Sequence, residues 1–360
     1  MIIYTPFLKL KQNELQAIGE LSPDVVHSLR PLYDVPRTSK NLTDKNIIER
    51  IQKGAKELKK LNNKYPGIPF YLDNYDLDDT ILLNGHSQYG HIIRSFHEFN
   101  PIPIAALNRV PEHNEFAIQY AKEHSKIIAV RLQKQDIESF KLSEKELREI
   151  WKHLDPGAID IHVLLDFRHL TDVEGAELIS KKFLSSFKGK FHASLMCMTG
   201  SPIPANITEL VATGASTSID RPEFKLWSAL KKEEGFNELI YGDYGVISPE
   251  YSDAELDPRI LRQVSTPKVF YSYGGSFFVS RGYSLDKHPN GNGQFFTIAD
   301  EIVEKSFYRK SAYSFGDKYV FDRSYLSPQK PLKAGSQGSW IKAMTAAHIT
   351  FISRSLRTMS

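Results

Sequence analysis

The sequence predicts an α/β protein in which an eight-stranded (β/α)8 barrel of the TIM type is followed by a β-rich α+β extension. Short runs of β-branched and aromatic residues alternate with longer segments of helical period. Eight strand-like runs occur before residue 232, and units of about 30 residues fill a barrel of about 250 residues. Beyond that point Gly, Tyr, Phe and Ser become dense. We therefore predict a barrel over residues 1–232 and an extension over residues 233–360 that packs on it.

Most of the predicted strands are continuous apolar runs, which is typical of strands buried on both faces. In chain order they span residues 2–8, 26–35, 69–72, 102–107, 127–132, 161–167, 191–198 and 216–219. The same alternation also permits an open doubly wound sheet. The barrel is favoured because the strands number eight and because no GxGxxG turn follows the first strand.

The helices between the strands have recognisable starts and apolar faces. Ser143 with Glu146, and Thr171 with Glu174, have the spacing of capping boxes. Apolar residues at helical spacing mark the helix after the second strand: Ile47, Ile48, Ile51, Ala55 and Leu58.

The extension is predicted to contain a hairpin and at least one helix. Residues 269–282 alternate as paired strands do, with the turn at Gly274 and Gly275. Residues 299–307 have the pattern of a short amphipathic helix, and residues 348–356 fit either a strand or a helix.

The composition is that of a globular protein, with 41% apolar and 25% charged residues. Acids and bases nearly balance, and the formal net charge is +3 at pH 7. This bias is too weak to indicate nucleic-acid binding, for which clustered Lys and Arg are expected. One basic run, formed by Lys56, Lys59, Lys60 and Lys64, is interpreted as the solvated face of a helix.

A single cysteine, Cys197, excludes an internal disulfide and is typical of a reducing compartment. Its apolar surroundings in a predicted strand favour packing over nucleophilic chemistry. Met1 leads into a short apolar stretch that is broken by Pro6 and Lys9, which is unlike a signal peptide. No apolar window approaches membrane-spanning length. The expected location is the cytoplasm, with no membrane partner.

In a (β/α)8 barrel, functional groups lie at the C-terminal ends of the strands. At the predicted ends the sequence places Lys9, Asp34, Asp73, Arg131, Asp166 and Ser201, with Arg221 and Glu223 just after the eighth strand. This polar set has two interpretations. It forms a ligand site, or its charges form salt bridges that close the mouth of the barrel.

If the mouth is a site, Lys9, Asp34 and Asp166 are the candidate catalytic groups. Lys9, once desolvated, would act as a base or as a Schiff-base amine, and the two aspartates would supply acid–base chemistry. The candidate ligand-binding residues of the set are Arg131, Ser201, Arg221 and Glu223. The competing interpretation pairs Lys9 with Asp34 or Glu14.

Cofactors and metals are less well indicated. The small residues of segments 199–202 (TGSP) and 213–218 (TGASTS) suit a phosphate, although ordinary turns explain them as well. A lysine on the first strand matches a pyridoxal-phosphate racemase-like barrel in outline, but this analogy of architecture leaves the cofactor unassigned. The acidic stretch 73–79 with His86 and His91 lacks the features of an EF-hand loop or an HExxH motif, so no metal is predicted.

Short motifs follow one another along nearly the whole chain. They are YTPFLKLK (4–11) with Glu14, PLYD (31–34), RPEFKLW (221–227), YGDYGVISP (241–249), FVSRG (278–282), FGDKY (315–319), GSQGSW (335–340) and AHITF (347–351). In this order they resemble the "beta protein" family found in phages and bacterial genomes. One departure is that the paired histidines of the family stand here as Ala347 and His348.

The resemblance implies a protein of phages or mobile elements and brings no established reaction with it. It identifies the residues of the shared motifs as the first to test for a functional role. These are Lys9, Lys11, Glu14, Arg221, Glu223, Asp243, Arg281, Asp317, Trp340 and His348. Asp243 and Arg281 stand beside glycines. We interpret them as polar groups on tight turns that either bind a ligand or pair with each other.

Two functions from different classes are compatible with these observations. In the first, the barrel mouth binds or processes an anionic or phosphorylated small molecule or a nucleotide. In the second, the chain is a non-enzymatic factor in phage–host conflict, a defence component or a host inhibitor, which binds a protein partner through the aromatic segment 270–278. An open mouth would favour the first function, and a mouth filled by salt bridges with an exposed aromatic surface would favour the second.

Overall fold

The computed structural model describes residues 2–37, 43–234, 236, 238–251, 265–329 and 333–359. The chain divides into two compact units. We call them the barrel unit, which spans Met1–Gln12, His27–Ser201 and Pro222–Tyr244, and the second unit, which spans Asn13–Val26, Pro202–Arg221 and Gly245–Ser360.

The described strands are, in chain order, β1 (Tyr4–Lys9), β2 (Leu32–Asp34), β3 (Tyr71–Asp73), β4 (Leu82–Leu83), β5 (His86–Ser87), β6 (Ile102–Ala106), β7 (Ile127–Gln133), β8 (Asp160–His169), β9 (Leu195–Ser201), β10 (Ser216–Asp220), β11 (Ile240–Asp243), β12 (Lys268–Tyr273) and β13 (Ser276–Arg281).

The described α-helices are α1 (Gln12–Gly19), α2 (Pro23–Val26), α3 (Asp44–Lys64), α4 (Gln88–Ser95), α5 (Pro111–Tyr120), α6 (Lys134–Glu138), α7 (Phe140–Lys152), α8 (Val173–Lys188), α9 (Pro222–Leu230), α10 (Gln294–Glu304), α11 (Phe315–Phe321) and α12 (Gln337–Met359). A π-helical turn over Ala121–Ser125 and short 3-10 turns over His97–Phe99, Ile207–Glu209 and Gly291–Gly293 connect some of them.

The barrel unit contains a closed barrel of eight parallel strands, so the predicted (β/α)8 architecture is confirmed. The strand order around the barrel is β1, β2, β3, β6, β7, β8, β9 and β11. Its interior holds a cluster of buried residues, namely Phe7, Leu32, Tyr71, Ile102, Ile104, Ala129, Leu164, Cys197 and Tyr244. Cys197 therefore lies in the apolar core, where burial raises its thiol pKa above the ordinary range.

The eighth barrel strand differs from the predicted one. Residues 216–219 do form a strand, but β10 pairs antiparallel with β13 in a separate sheet, and its side chains are partly exposed. The barrel is closed instead by β11, which lies beyond the predicted boundary at residue 232. A Cβ at Gly242 in β11 would lie 2.9 Å from Cys197 Sγ. Glycine thus lets this strand approach β9 closely, and it also weakens the apolar signal by which strands are recognised.

Other local predictions also need correction. The second predicted strand is shorter than expected. It spans Leu32–Asp34, Leu29 makes an isolated bridge to Tyr4, and Val26 is the last residue of α2. Ser143 does not begin a helix. Helix α7 starts at Phe140, and the Ser143 hydroxyl donates to the carbonyl of Asp136 at 2.7 Å. Helix α8 is capped by Asp172, whose carboxylate accepts from Gly175 N at 2.9 Å.

The second unit is built on the antiparallel sheet β10-β13-β12 together with helices α10, α11 and α12. The predicted hairpin is confirmed, and Gly274 in its turn has a φ of 47°, a left-handed conformation that suits glycine. The undecided segment 348–356 is helical and belongs to α12. Phe270, Phe277 and Phe278 are buried in the core of this unit, so the aromatic segment serves packing.

Within the part of the chain described, no helix combines the length and apolar character needed to cross a membrane.

Candidate functional site

Arg131 lies at the centre of the barrel mouth, and its side chain has no exposed surface. Its Nη1 donates to Asp34 and to Asp73, each at 2.7 Å. Nε and Nη2 donate to Asp166 at 3.0 and 2.7 Å, and Nη2 also donates to the hydroxyl of Tyr244 at 3.0 Å. A guanidinium has five N–H donors, so every donor of Arg131 has an acceptor within the barrel.

The register of the parallel strands explains why residues so distant in sequence meet here. Lys9 is aligned with Asp34 across β1 and β2, and Asp34 with Asp73 across β2 and β3. Asp166 lies on β8 beside the last residue of β7. The structure thus brings Lys9, Asp34, Asp73, Arg131 and Asp166 to one end of the barrel, as the strand-end argument expects.

Arg109 forms ion pairs on one side of this centre. It follows β6, donates to Asp73 at 2.6 Å and to Asp79 at 3.1 Å, and is only 6% exposed. His113 of α5 lies close, with Nδ1 3.6 Å from the same Asp79 oxygen. The acidic stretch 73–79 therefore supplies counter-ions for arginine.

Lys9 and Arg168 share one carboxylate on the other side. Lys9 is ion-paired with Asp76, and both side chains are 4% exposed. Nη2 of Arg168 lies 3.4 Å from the second oxygen of Asp76. The ion-pair partner of Lys9 seen here is thus a residue of the acidic stretch, which was not among the partners expected from the sequence.

The ring of Tyr75 covers the arginines. Its centroid lies 4.6 Å from the guanidinium carbon of Arg131, 4.4 Å from that of Arg168 and 5.7 Å from that of Arg109. These distances are within the range of cation–π attraction. Arg168 reaches the ring from a bulge in β8, where its φ of 50° is left-handed.

The two aspartates proposed for acid–base chemistry are shifted in opposite directions. Burial raises the pKa of Asp34, and the charges of Arg131 and Lys9 offset this only in part. Burial also acts to raise the pKa of Asp166, but Arg131, Arg168 and the hydroxyl of Tyr244 outweigh it and hold that pKa below its usual range. Asp34 therefore binds a proton at a higher pH than Asp166 does.

The charges of the mouth nearly cancel. The described ion pairs there join four cations and five carboxylates, which are Lys9, Arg109, Arg131 and Arg168 with Asp34, Asp73, Asp76, Asp79 and Asp166. This network supports the interpretation that salt bridges fill the centre of the mouth.

A cavity opens beside the network, at the rim formed by the ends of β3, β6 and β7. This rim cavity has a volume of about 390 Å³. It is lined by Tyr75, Leu77, Asp78, Asp79, Thr80, Ala106, Asn108, Arg109, Val110, Gln133, Gln135 and Asp136. Asp34, Asp166 and Lys9 are not part of this lining.

Polar side chains fix the wall of the rim cavity at the start of α6. The carboxylate of Asp136 accepts from Asn108 Nδ2 at 3.2 Å and from Gln133 N at 2.8 Å. Burial raises the pKa of Asp136 above its ordinary value despite these hydrogen bonds. Gln135 is exposed on the same helix.

Three other candidates of the barrel unit lie on its last two strands and on α9 between them. Ser201 ends β9, and its carbonyl accepts from Leu170 N at 2.9 Å. Glu223 and Asp243 are buried, and the hydroxyl of Tyr241 lies 3.1 Å from one and 2.9 Å from the other. The hydroxyl of Tyr4 donates to Asp243 at 2.5 Å. These carboxylates form a cluster that is separate from the contacts of Arg131.

Arg221 and Arg281 belong to the second unit. Nη2 of Arg221 donates to the carbonyl of Gly274 at 3.0 Å, and its guanidinium carbon lies 5.8 Å from the Phe277 ring centroid. Nη1 of Arg281 donates to the carbonyl of Val211 at 3.0 Å. These contacts hold the hairpin, and a pairing of Arg281 with Asp243 stays a prediction.

Sequence reasoning missed several members of the mouth: Tyr75, Asp76, Asp79, Arg109, Arg168 and Tyr244. Tyr75, Asp76 and Asp79 lay in a stretch considered as a metal loop. Arg109 comes three residues after β6, and Arg168 lies near the end of β8. The usable signal was a polar residue up to three positions beyond each strand, since loops as well as strand ends form the mouth.

A comparison with protein families adds to these observations. The profile of one family, described as Beta protein, matches residues 4–354. The chain belongs to the Beta protein family. The match covers nearly the whole sequence and confirms the resemblance drawn from its short motifs. A comparison with curated proteins gave no match.

Proposed function

We propose that this member of the Beta protein family binds a small polar molecule in the rim cavity. The observation that carries the proposal is the position of a cavity of about 390 Å³ at the C-terminal face of a closed barrel. Barrels of this type bind their ligands at that face, and ligand pockets commonly have volumes of about 300–1,000 Å³.

The lining of the cavity supports a neutral or positively charged ligand. Three carboxylates line it, those of Asp78, Asp79 and Asp136, against one cation, Arg109. Arg109 is already engaged by two carboxylates. The amides of Asn108 and Gln135 add hydrogen-bonding groups of the kind that orient a ligand.

The anionic or phosphorylated ligand expected from the sequence receives less support from these charges. That expectation depended on arginine and lysine at the strand ends. Every donor of Arg131 has a carboxylate or hydroxyl acceptor, and Lys9 pairs with Asp76. A ligand with donor groups, such as an amine or the edge of a nucleobase, is better matched to the acidic rim.

Gln135 and Lys134 offer a matched test. Both are exposed on α6, and Gln135 lines the cavity whereas Lys134 does not. A Gln135→Trp substitution places a large ring in the cavity, and Lys134→Trp places the same ring outside it. We expect amines or nucleosides to raise the Tm of the wild type and of Lys134→Trp, but not that of Gln135→Trp. Native mass spectrometry of the purified chain tests for a retained molecule.

Two results would contradict the proposal. If ligands that stabilise the wild type act equally on Gln135→Trp, they bind elsewhere. If acids and phosphates alone give a shift that Gln135→Trp abolishes, the cavity is the site but the ligand class is wrong.

A second candidate is a non-enzymatic protein-binding role in phage–host conflict, in a protein of phage or mobile-element origin. The ion-paired centre of the mouth favours it, because Arg131 has no exposed surface. The aromatic segment 270–278 gives it no support, since Phe270, Phe277 and Phe278 are buried. Affinity purification from phage-infected and uninfected cells, followed by native mass spectrometry, distinguishes a stoichiometric protein partner from a small ligand.

We also propose that the protein acts in the cytoplasm. A single buried cysteine, Cys197, supports a reducing compartment, since it leaves no internal disulfide to form.

A further inference from the structure

A groove on the outside of the barrel unit is lined by an excess of positively charged side chains. It runs along one face of α3 and has a volume of about 670 Å³. Leu10 and Pro36 line its other side. The residues of α3 that line it extend from Asn46 to Lys60, which corresponds to about 21 Å at 1.5 Å per residue.

The net positive charge of the chain comes from this helix. Helix α3 contains seven Lys or Arg residues and three Asp or Glu residues, a net charge of +4. The complete chain has a net charge of +3, so the remainder sums to −1. The net charge of α3 is larger than that of the whole chain, so the helix creates a local positive potential that the net charge of the chain does not indicate.

The cations of α3 that line the groove are Arg50, Lys53, Lys56 and Lys60, and Lys11 lies on the facing segment. The two glutamates of the lining, Glu49 and Glu57, leave the groove with a net charge of +3. Lys60 pairs with Glu57 at 2.6 Å.

Two of these cations are available to a partner. Lys53 and Lys56 are exposed, and within the described residues neither has a carboxylate within ion-pair distance. Unpaired lysines three residues apart repel each other by a few tenths of a kcal/mol on a helix, so an anion that lies between them relieves that repulsion.

The floor of the groove depends on Gly54. Its missing side chain admits Leu10, whose Cδ2 would lie 2.7 Å from a Cβ at this position. Leu10 is buried, so the groove has a packed apolar floor and cationic walls. No aromatic side chain appears in its described lining.

We propose that this groove binds the phosphate backbone of double-stranded nucleic acid. A duplex presents one negative charge per about 1.7 Å of axis, about twice the density of an extended acidic peptide at about 3.3–3.6 Å per residue. Over the length of the groove, about 21 Å, a duplex carries about a dozen phosphates on its two strands, and those on the near side face the five cations of the groove. Single strands are bound by stacking their bases on aromatic rings, which the lining lacks. Exposed lysines contact phosphates and not base edges. We therefore expect the groove to bind duplexes independently of their nucleotide sequence. The proposal is independent of the ligand proposed for the rim cavity.

Fluorescence anisotropy of the full chain with a labelled 20-base-pair DNA duplex, over 50–200 mM salt, tests the groove. We expect the logarithm of the association constant to fall linearly with the logarithm of the salt concentration, with a slope between about −3 and −5. Each neutralised phosphate contributes about −0.9 to this slope. Lys53→Gln with Lys56→Gln should reduce the slope by about 2 and weaken binding roughly hundredfold at 50 mM salt.

A charge-matched control lies on the same helix. Lys45→Gln with Lys59→Gln removes the same charge from α3 at positions outside the groove lining, and we expect less than a threefold effect. Circular dichroism checks that both double variants fold. An equal loss in the control would reduce the effect to net charge and overturn the groove assignment. Tighter binding of a single strand, displacement of the duplex by polyglutamate at equal charge, or no duplex binding at 50 mM salt would each overturn the proposal.

Discussion

At the scale of single residues, the mouth of the barrel is determined by how Arg131 is surrounded. Its guanidinium is fixed by Asp34, Asp73 and Asp166 and by the Tyr244 hydroxyl, and it has no exposed surface. Buried ion pairs of this kind contribute little net stability but are costly to break, because an uncompensated charge is left behind. Arg131 therefore serves as the internal counter-ion of the acidic strand ends.

Replacing Arg131 tests this role. We expect Arg131→Met to lower the free energy of unfolding by about 3–5 kcal/mol at pH 7, since buried carboxylates lose their partner. Protonation of those carboxylates at lower pH should reduce the deficit, so it should be smaller at pH 5 than at pH 7. Urea unfolding measures both quantities. Arg148→Met is the control, because Arg148 is 56% exposed and pairs with Glu144 on one helix, where the cost is about 0.5 kcal/mol. Equal costs for the two variants would refute the role.

Arg168 combines an ion pair with a left-handed backbone at φ 50°. Arg168→Gly and Arg168→Ala both remove the contact with Asp76, but glycine tolerates the left-handed conformation and alanine does not. We expect the glycine variant to be more stable by about 1 kcal/mol in urea unfolding. If the alanine variant is the more stable one, the bulge in β8 relaxes and its backbone is not constrained.

His162 makes the stability of the chain depend on pH. Burial, with a smaller effect of Arg30, lowers its pKa from 6.5 to about 3, and the hydroxyl of Tyr71 lies 2.9 Å from Nδ1. The native state therefore keeps this ring neutral, whereas the unfolded chain binds a proton below pH 6.5. Stability is unaffected above that pH and falls as pH drops from 6.5 towards 3.

Substitution of His162 isolates this effect. Between pH 6 and pH 4 the wild type should lose about 1.4 kcal/mol per pH unit more than His162→Gln does. Urea unfolding at several pH values measures the difference, and His153→Gln, at an exposed position, should follow the wild type. Parallel pH profiles for wild type and His162→Gln would show that the ring titrates normally in the native state.

At the scale of elements, glycine residues allow two helices or two strands to pack closely together. In the second unit, a Cβ on Gly316 of α11 would lie 2.0 Å from the carbonyl oxygen of Ala343 and 2.7 Å from the Cβ of Ala347, both in α12. Because the obstacle is backbone, no rotamer change relieves it. The two helices therefore pack at a distance that only glycine permits.

Gly316→Ala should accordingly separate α11 from α12. We expect a loss of about 3 kcal/mol in the free energy of unfolding, measured by thermal or urea denaturation. Gly189→Ala is a suitable comparison, because its Cβ would meet nothing closer than 3.9 Å and its effect should stay within about 1 kcal/mol. A Gly316→Ala protein as stable as Gly189→Ala would mean that the helices adjust freely.

At the scale of the whole molecule, the barrel unit is discontinuous in sequence. Its closing strand β11 comes after segments of the second unit, and it pairs with β1 at Tyr4 and with β9 at Cys197. Without β11 both neighbours would have unpaired edges, which promote aggregation. The barrel is therefore complete only when the chain has been made beyond residue 243.

Truncation tests this dependence. A fragment of residues 1–232 lacks β11, and a fragment of residues 1–251 includes it. We expect the shorter fragment to unfold without a cooperative transition and to bind a hydrophobic dye. The longer fragment should recover part of the native circular dichroism. Cooperative unfolding of residues 1–232 would mean that the other seven strands suffice for a folded unit.

Charge also differs between the whole chain and its parts. The net charge of +3 did not indicate nucleic-acid binding, although helix α3 alone carries a net charge of +4 and three aspartates line the rim cavity. Opposite local charges cancel in the total. The net charge of the chain therefore conceals a basic groove along α3 and a rim cavity lined by three aspartates and one arginine.

The sequence by itself determined the barrel architecture, seven of its strands, the hairpin at Gly274 and the family. These depend on local signals, because apolar periodicity, turn residues and ordered motifs can be read along the chain. It also placed Lys9, Asp34, Asp73, Arg131 and Asp166 at one end, since the strand ends of a parallel barrel converge.

Only the tertiary structure decided which strand closes the barrel and which charges pair. Gly242 makes β11 a weak sequence signal, and β10 has a β-rich sequence but pairs elsewhere. The partners of Lys9 and Arg131 depend on loops and on registers between strands more than 30 residues apart, as with Arg131 and Asp166. Pairing is a property of positions in space, so periodicity along the chain does not encode it.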